Sequence, residues 1–205
     1  MNIGDGQVGV MERAQPEPRK IRERIRRYER KLREEKRTYG DYRDGAGKRY
    51  LLGPSYLLLG DTEGAMKSFR WSEAEFPDDC GEPGHFLCWT LASWRAGDQE
   101  GAARKLKQTM LANLYIIPRL LGLEMVALDI WHGSSDEEPW YLQFIPDEYF
   151  LLWDENELAW AARLYHSLEF ETIRARYVEI HKELKDTAPG AKRSRLVEEA
   201  YHLRR

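Results

Sequence analysis

A chain of 205 residues, 42% hydrophobic and 33% charged, is long enough for one packed domain and carries more charge than the usual quarter, which suits helices with solvated faces. Two cysteines, Cys80 and Cys88, exclude a disulfide framework, and no apolar run reaches the roughly 18 residues of a membrane span; a reduced, cytoplasmic protein is expected. The net charge of −3 hides an asymmetry: residues 19–37 hold eleven Lys/Arg and four Glu, a balance of +7, whereas residues 120–162 hold ten Asp/Glu and no Lys or Arg. Such asymmetry bears on association rather than on fold.

Residues 1–18 contain three glycines and two prolines and read as a disordered leader. Residues 19–38 predict a helix of strong helix formers, with Ile21, Ile25, Tyr28 and Leu32 as a narrow apolar seam. The seam is expected to dock on the rest of the chain. Outside it, Arg22, Arg26, Arg30 and Arg33 form a candidate surface for nucleic acid or an acidic partner, or a latch onto the acidic 120–162 region. Residues 39–48 are Gly- and Asp-rich and read as a turn.

Helices are expected over 48–59 and 61–75, broken at Gly60. Here Gly60-Asp61-Thr62-Glu63-Gly64-Ala65 recurs 37 residues later as Gly97-Asp98-Gln99-Glu100-Gly101-Ala102. A period of this size is the mark of a repeat architecture, here two helical hairpins over 48–122. Asp61 or Thr62 suits an N-cap. Beyond them a helix is expected to continue over 123–131, followed by a loop at 132–139 and a short extended run at 140–146. Helices are expected over 147–153 and 155–168, and over 171–185 with Ile173, Tyr177, Ile180 and Leu184 on one face. Residues 187–205 read as a basic tail or short helix. Residues 19–205 thus form one helical repeat domain, with 19–38 and 123–186 capping its ends.

Cys80, His85 and Cys88 are the nearest approach to a metal pattern, but zinc needs four converging ligands, usually with paired short spacings, and the fourth would have to be Asp78 or Asp79. Neither a nucleophile elbow nor a metalloprotease or dinucleotide motif occurs. No metal, no cofactor and no catalysis are expected, an enzyme with an unrecognised site being the second alternative.

The first hairpin resembles a tetratricopeptide repeat. Gly53 stands as the small residue of its first helix, Tyr56 as the large residue three later and Gly60 as the turn. Ala65 is the small residue of the second helix, Phe69 the aromatic and Pro77 the closing proline. In the second copy Gly97 and Ala102 keep their places, while Thr90, Ser93 and Leu106 replace Gly53, Tyr56 and Phe69. The resemblance covers about 49–170. It implies an all-α stack of antiparallel hairpins and a non-catalytic scaffold that binds a peptide or helix of another protein. The first helices of such arrays line the concave face, which makes Tyr50, Leu57, Leu91, Trp94 and Arg95 the candidate partner-binding residues. The alternative is that they are core, or that the chain's own terminal helices fill the groove. A homo-oligomer and a nucleic acid are the further partners considered.

Overall fold

The computed structural model describes residues 17–204 and is helical, with ten α-helices, two 3-10 helices and no strand among those residues. Apart from Glu17 and Pro18, the expected leader lies outside the described residues. The helices are α1 (Pro18–Tyr39), α2 (Lys48–Leu58), α3 (Thr62–Glu75), α4 (Pro83–Arg95), α5 (Gln99–Ala112), α6 (Ile116–Leu120), α7 (Asp147–Leu151), α8 (Glu155–Tyr165), α9 (Leu168–Asp186) and α10 (Ala191–Arg204). The 3-10 helices span Ser135–Glu137 and Pro139–Phe144. No helix among the described residues is long and apolar enough to cross a membrane.

The two copies of the hexapeptide make the same turn. Gly60 and Gly97 take φ of 74° and 80°, a left-handed conformation that glycine adopts at no steric cost. Asp61 then accepts from the Gly64 amide and Asp98 from the Gly101 amide, each at 2.8 Å, capping α3 and α5. The chain reverses at each turn, so α2 packs on α3 and α4 on α5. At the first crossing a Cβ on Gly53 would lie 2.2 Å from Cε1 of Phe69, so only glycine admits that ring. At the second, Thr90 replaces Gly53 and its hydroxyl meets that of Thr109 at 3.1 Å, a buried polar crossing.

Pro54 lies inside α2 and cannot donate the amide bond that would reach the Tyr50 carbonyl one turn back. Nδ1 of His85, on α4, meets that carbonyl at 3.3 Å. A break in one hairpin is thus closed by a side chain of the next.

The 37-residue register extends backwards into α1. The Tyr56 hydroxyl donates to Glu29 at 2.6 Å, and 37 residues on the Ser93 hydroxyl contacts the sulfur of Met66 at 3.8 Å. Leu32 and Phe69 correspond in the same register and are both buried. α1 therefore packs on α2 as α3 packs on α4, in the place of the second helix of a preceding unit. Its seam docks as expected: Ile21, Ile25 and Leu32 are buried with Leu52 of α2. At the other end α9 and α10 pack on α5, and Tyr177, Ile180 and Leu184 are buried.

Two expectations are corrected. Residues 123–131 are not helical. Gly122, at φ 66°, ends α6, and the Leu123 amide donates back to the Pro118 carbonyl. Farther on, the amides of Leu128 and Trp131 donate to the Tyr115 hydroxyl and the His181 carbonyl, so tertiary partners replace helical ones. Residues 140–146 are not extended but largely 3-10 helical, with Pro139 at the start of that turn. α1 sends ion pairs to α3 through Lys36–Glu75 (3.1 Å) and to α2 through Glu35–Lys48 (2.8 Å), and its Arg24 interacts electrostatically with Tyr149 of α7.

Gly53→Val is expected to cost about 3 kcal/mol in urea unfolding, because Phe69 has nowhere to retreat. Gly45→Ala, at a site with nothing within 4 Å of the new Cβ, is expected to change stability by under about 0.5 kcal/mol. Equal effects would contradict the close crossing.

Candidate functional site

The residues expected to line an open groove sit on α2 and α4, but that face is filled from within. Leu57 and Leu91 are 1% and 0% exposed, core residues with no surface for a partner. Trp94 packs on Trp160 of α8 with ring centres 4.5 Å apart. Arg95 grips Glu157 of α8 through Nε at 2.7 Å and Nη2 at 3.1 Å, and Nη2 also donates to the Leu152 carbonyl at 2.6 Å. Tyr50 is half-buried; its hydroxyl donates to Asp79 and accepts from Arg49 Nη2 at 2.7 Å. These placements correct the groove assignment. An apolar face of only two hairpins would otherwise stay wet, and the chain's own acidic, aromatic-rich segment covers it.

The cover is built from Leu142, Ile145, Tyr149, Trp153 and Trp160, all buried. α7 packs on both α2 and α4. Ile145 lies 3.1 Å from where a Gly84 Cβ would stand, so that glycine seats it. Arg119 pins the segment by donating to the Leu142 carbonyl and to Asp147, the latter at 2.6 Å. Glu157 is 3% exposed and fully engaged, because it also accepts from the Asp154 amide in a capping box.

The arginines of α1 fare differently. Arg22, Arg26, Arg30 and Arg33 are all exposed, on the sides of the helix away from its seam. Arg30 reaches Glu34 only at 3.9 Å, an exposed pair worth little.

A cavity of about 300 Å³ lies beneath the 76–81 loop, between α3, α4 and α5, with Tyr201 and Arg204 of α10 at its edge. Nζ of Lys105 stands 3.4 Å from the Trp89 ring centre and 2.9 Å from Glu73. The other face of Trp89 stacks on Phe69, with ring centres 5.3 Å apart and planes 6° from parallel. Burial pulls the Lys105 amine below its ordinary pKa, and Glu73 offsets part of this. Burial would raise the Asp79 carboxyl, but bonds from Arg49 and Tyr50 outweigh it and hold the group below its usual value. Burial lowers His85 to about 4, so its imidazole is neutral at pH 7 and donates from Nδ1 to the Tyr50 carbonyl.

These groups compose a packed polar network. Cys88 is fully buried, with its thiol pushed up by burial, and Cys80 is exposed. Among the described residues, no group of three or more His, Cys, Asp or Glu is arranged to hold a metal ion. Neither the covering role of Glu157 and Trp160 nor the link from Pro54 to His85 was found by sequence reasoning. A proline inside an apolar helical run, with a lone histidine in the next hairpin, was the available signal for the second.

Comparison of the chain with known protein families, with characterised proteins and with solved structures finds no match.

Arg95→Met should cost about 3 kcal/mol in urea unfolding, since it strands a buried carboxylate, and adding Glu157→Leu should recover much of the loss. Non-recovery would mean that the pair is not the source. His85 makes stability depend on pH. The unfolded chain takes up the proton near pH 6.5 and the folded chain only near 4, so its contribution is complete above pH 6.5 and is lost as pH falls towards 4. About 3 kcal/mol is at stake in that window. Unfolding titrations should show a shallower acid slope for His85→Gln than for the parent chain; parallel slopes would exclude the histidine as their cause.

Proposed function

We propose that the chain is a non-catalytic, tetratricopeptide-like interaction module that docks a segment of another protein. One observation carries the reading. The face that such arrays commonly offer is occupied by residues 139–160, while the opposite helices α1, α3 and α5 present exposed basic side chains, among them Arg33, Lys67, Arg70 and Arg104. The paired hairpins, their shared turn and the helices closing both ends support a rigid stack. Rigid elements carrying a charged surface suit orientation and recognition of a partner.

Nucleic-acid association is a second reading, favoured by Arg22, Arg26, Arg30 and Arg33 lying exposed along about 16 Å of one helix. It requires a gel shift at low salt that fades steeply as salt rises, because phosphate neutralisation releases counterions. No shift at low salt removes it.

The interaction reading is tested by placing the photo-cross-linker benzoylphenylalanine at Lys67 and, as a control, at Glu198. In lysate of the native host, a discrete polypeptide adduct is expected from position 67 and not from 198. Equal or absent adducts at both positions would refute the reading.

A further inference from the structure

Two clefts on the exposed side of the stack are copies of one another. The first, about 320 Å³, lies between α1 and α3; the second, about 350 Å³, lies between α3 and α5. Arg33, Tyr56, Gly64, Lys67, Ser68 and Trp71 line the first. Moved on by the 37-residue period, they become Arg70, Ser93, Gly101, Arg104, Lys105 and Gln108, and every one lines the second. The hexapeptide period thus repeats a surface as well as a turn.

What the copies retain is charge. Each cleft is flanked by one exposed cation from the helix before it and one from the helix after it: Arg33 with Lys67, then Arg70 with Arg104. Arg104 touches Glu100 at 3.8 Å, an exposed pair that costs little to exchange. Each cleft also holds a buried polar atom with no hydrogen-bond partner, the Ser68 hydroxyl in the first and Oε1 of Gln108 in the second. Ser68 is only 8% exposed. Buried polar atoms are normally satisfied, so an orphan in each of two successive clefts, about one helical turn apart in the repeat register, asks for a visiting group.

We infer that the two clefts form one track for an extended, acidic segment of a partner polypeptide, with a carboxylate over each basic pair and main-chain groups meeting Ser68 and Gln108. The inference rests on the interaction-module reading and names the chemistry of its partner. Successive clefts lie one hairpin repeat apart on the same side, so one extended segment crossing both meets each basic pair in turn. The apolar walls of the first cleft, Leu32, Leu52, Tyr56 and Trp71, suit side chains between the acids. Glu29 and Glu73, which also line the clefts, are engaged within the chain by the Tyr56 hydroxyl and by Lys105. Two linked contacts bind more tightly than either alone, so weak individual clefts suffice.

The test is a random-peptide display selection on the full chain, followed by fluorescence anisotropy of the enriched peptides. Binders are expected to carry separated Asp or Glu residues within one extended segment and to weaken as salt rises. R33E/K67E or R70E/R104E should each reduce affinity by about tenfold or more, and the four-fold variant should abolish binding without changing the melting temperature. Enriched peptides that are not acidic, or that bind all variants equally, would overturn the track while leaving the interaction module standing. So would a single-stranded RNA that binds more tightly than any selected peptide and responds to the same reversals. No enriched binder, together with no adduct at Lys67, would overturn both.

Discussion

Phe69 is the ring on which the stack depends. One face of its environment is the bare backbone of Gly53; the other is the plane of Trp89, whose far side carries the Lys105 ammonium. Glycine, phenylalanine, tryptophan and lysine therefore form one continuous pile through α2, α3, α4 and α5. Aromatic stacking and cation–π contact each add of the order of 1 kcal/mol beyond area burial. Their larger effect is geometric: they fix how the second hairpin sits on the first. The link from His85 to the carbonyl freed by Pro54 acts at the same junction. It ties the two hairpins by a hydrogen bond in a place where neither helix could satisfy its own backbone.

Once that register is fixed, the two sides of the stack acquire different fates. The α2–α4 face is apolar and short, and the acidic segment after α6 closes over it. Burying five large side chains there, Leu142, Ile145, Tyr149, Trp153 and Trp160, is worth roughly 10 kcal/mol before the entropy of ordering the segment. A partner would have to displace that cover to reach α2 and α4. The outer helices face no such competitor. Their clefts repeat with the hairpins, and so does the pair of cations at each rim.

Much of the fold was legible in local pattern. The seam of α1, the glycine turns at Gly60 and Gly97, the aspartate caps and the apolar face of α9 follow from spacing and residue chemistry alone. The strap at 123–131 was not legible, because its apolar residues have helical spacing and only the tertiary acceptors on Tyr115 and His181 draw its amides away. Nor was the fate of Trp94 and Arg95. Their residue types suit a binding groove, and what they bind is Trp160 and Glu157, more than sixty residues on. The arginines of α1 were recognisable as a surface. The match of Arg33 to Arg70 escaped notice because the repeated hexapeptide lies in the turns, away from both, and α1 has no hairpin partner of its own.

The central claim is that residues 139–160 are a built-in part of the hairpin stack and close its α2–α4 face. Native-state hydrogen exchange of the full chain, resolved by peptide, tests this most directly. The account predicts that the amides of α8 exchange with the same opening free energy as those of α2 and α4, as one cooperative unit. Fast exchange in α8, against slow exchange in α2 and α4, would show a cover that lifts by itself and leaves that face open to a partner.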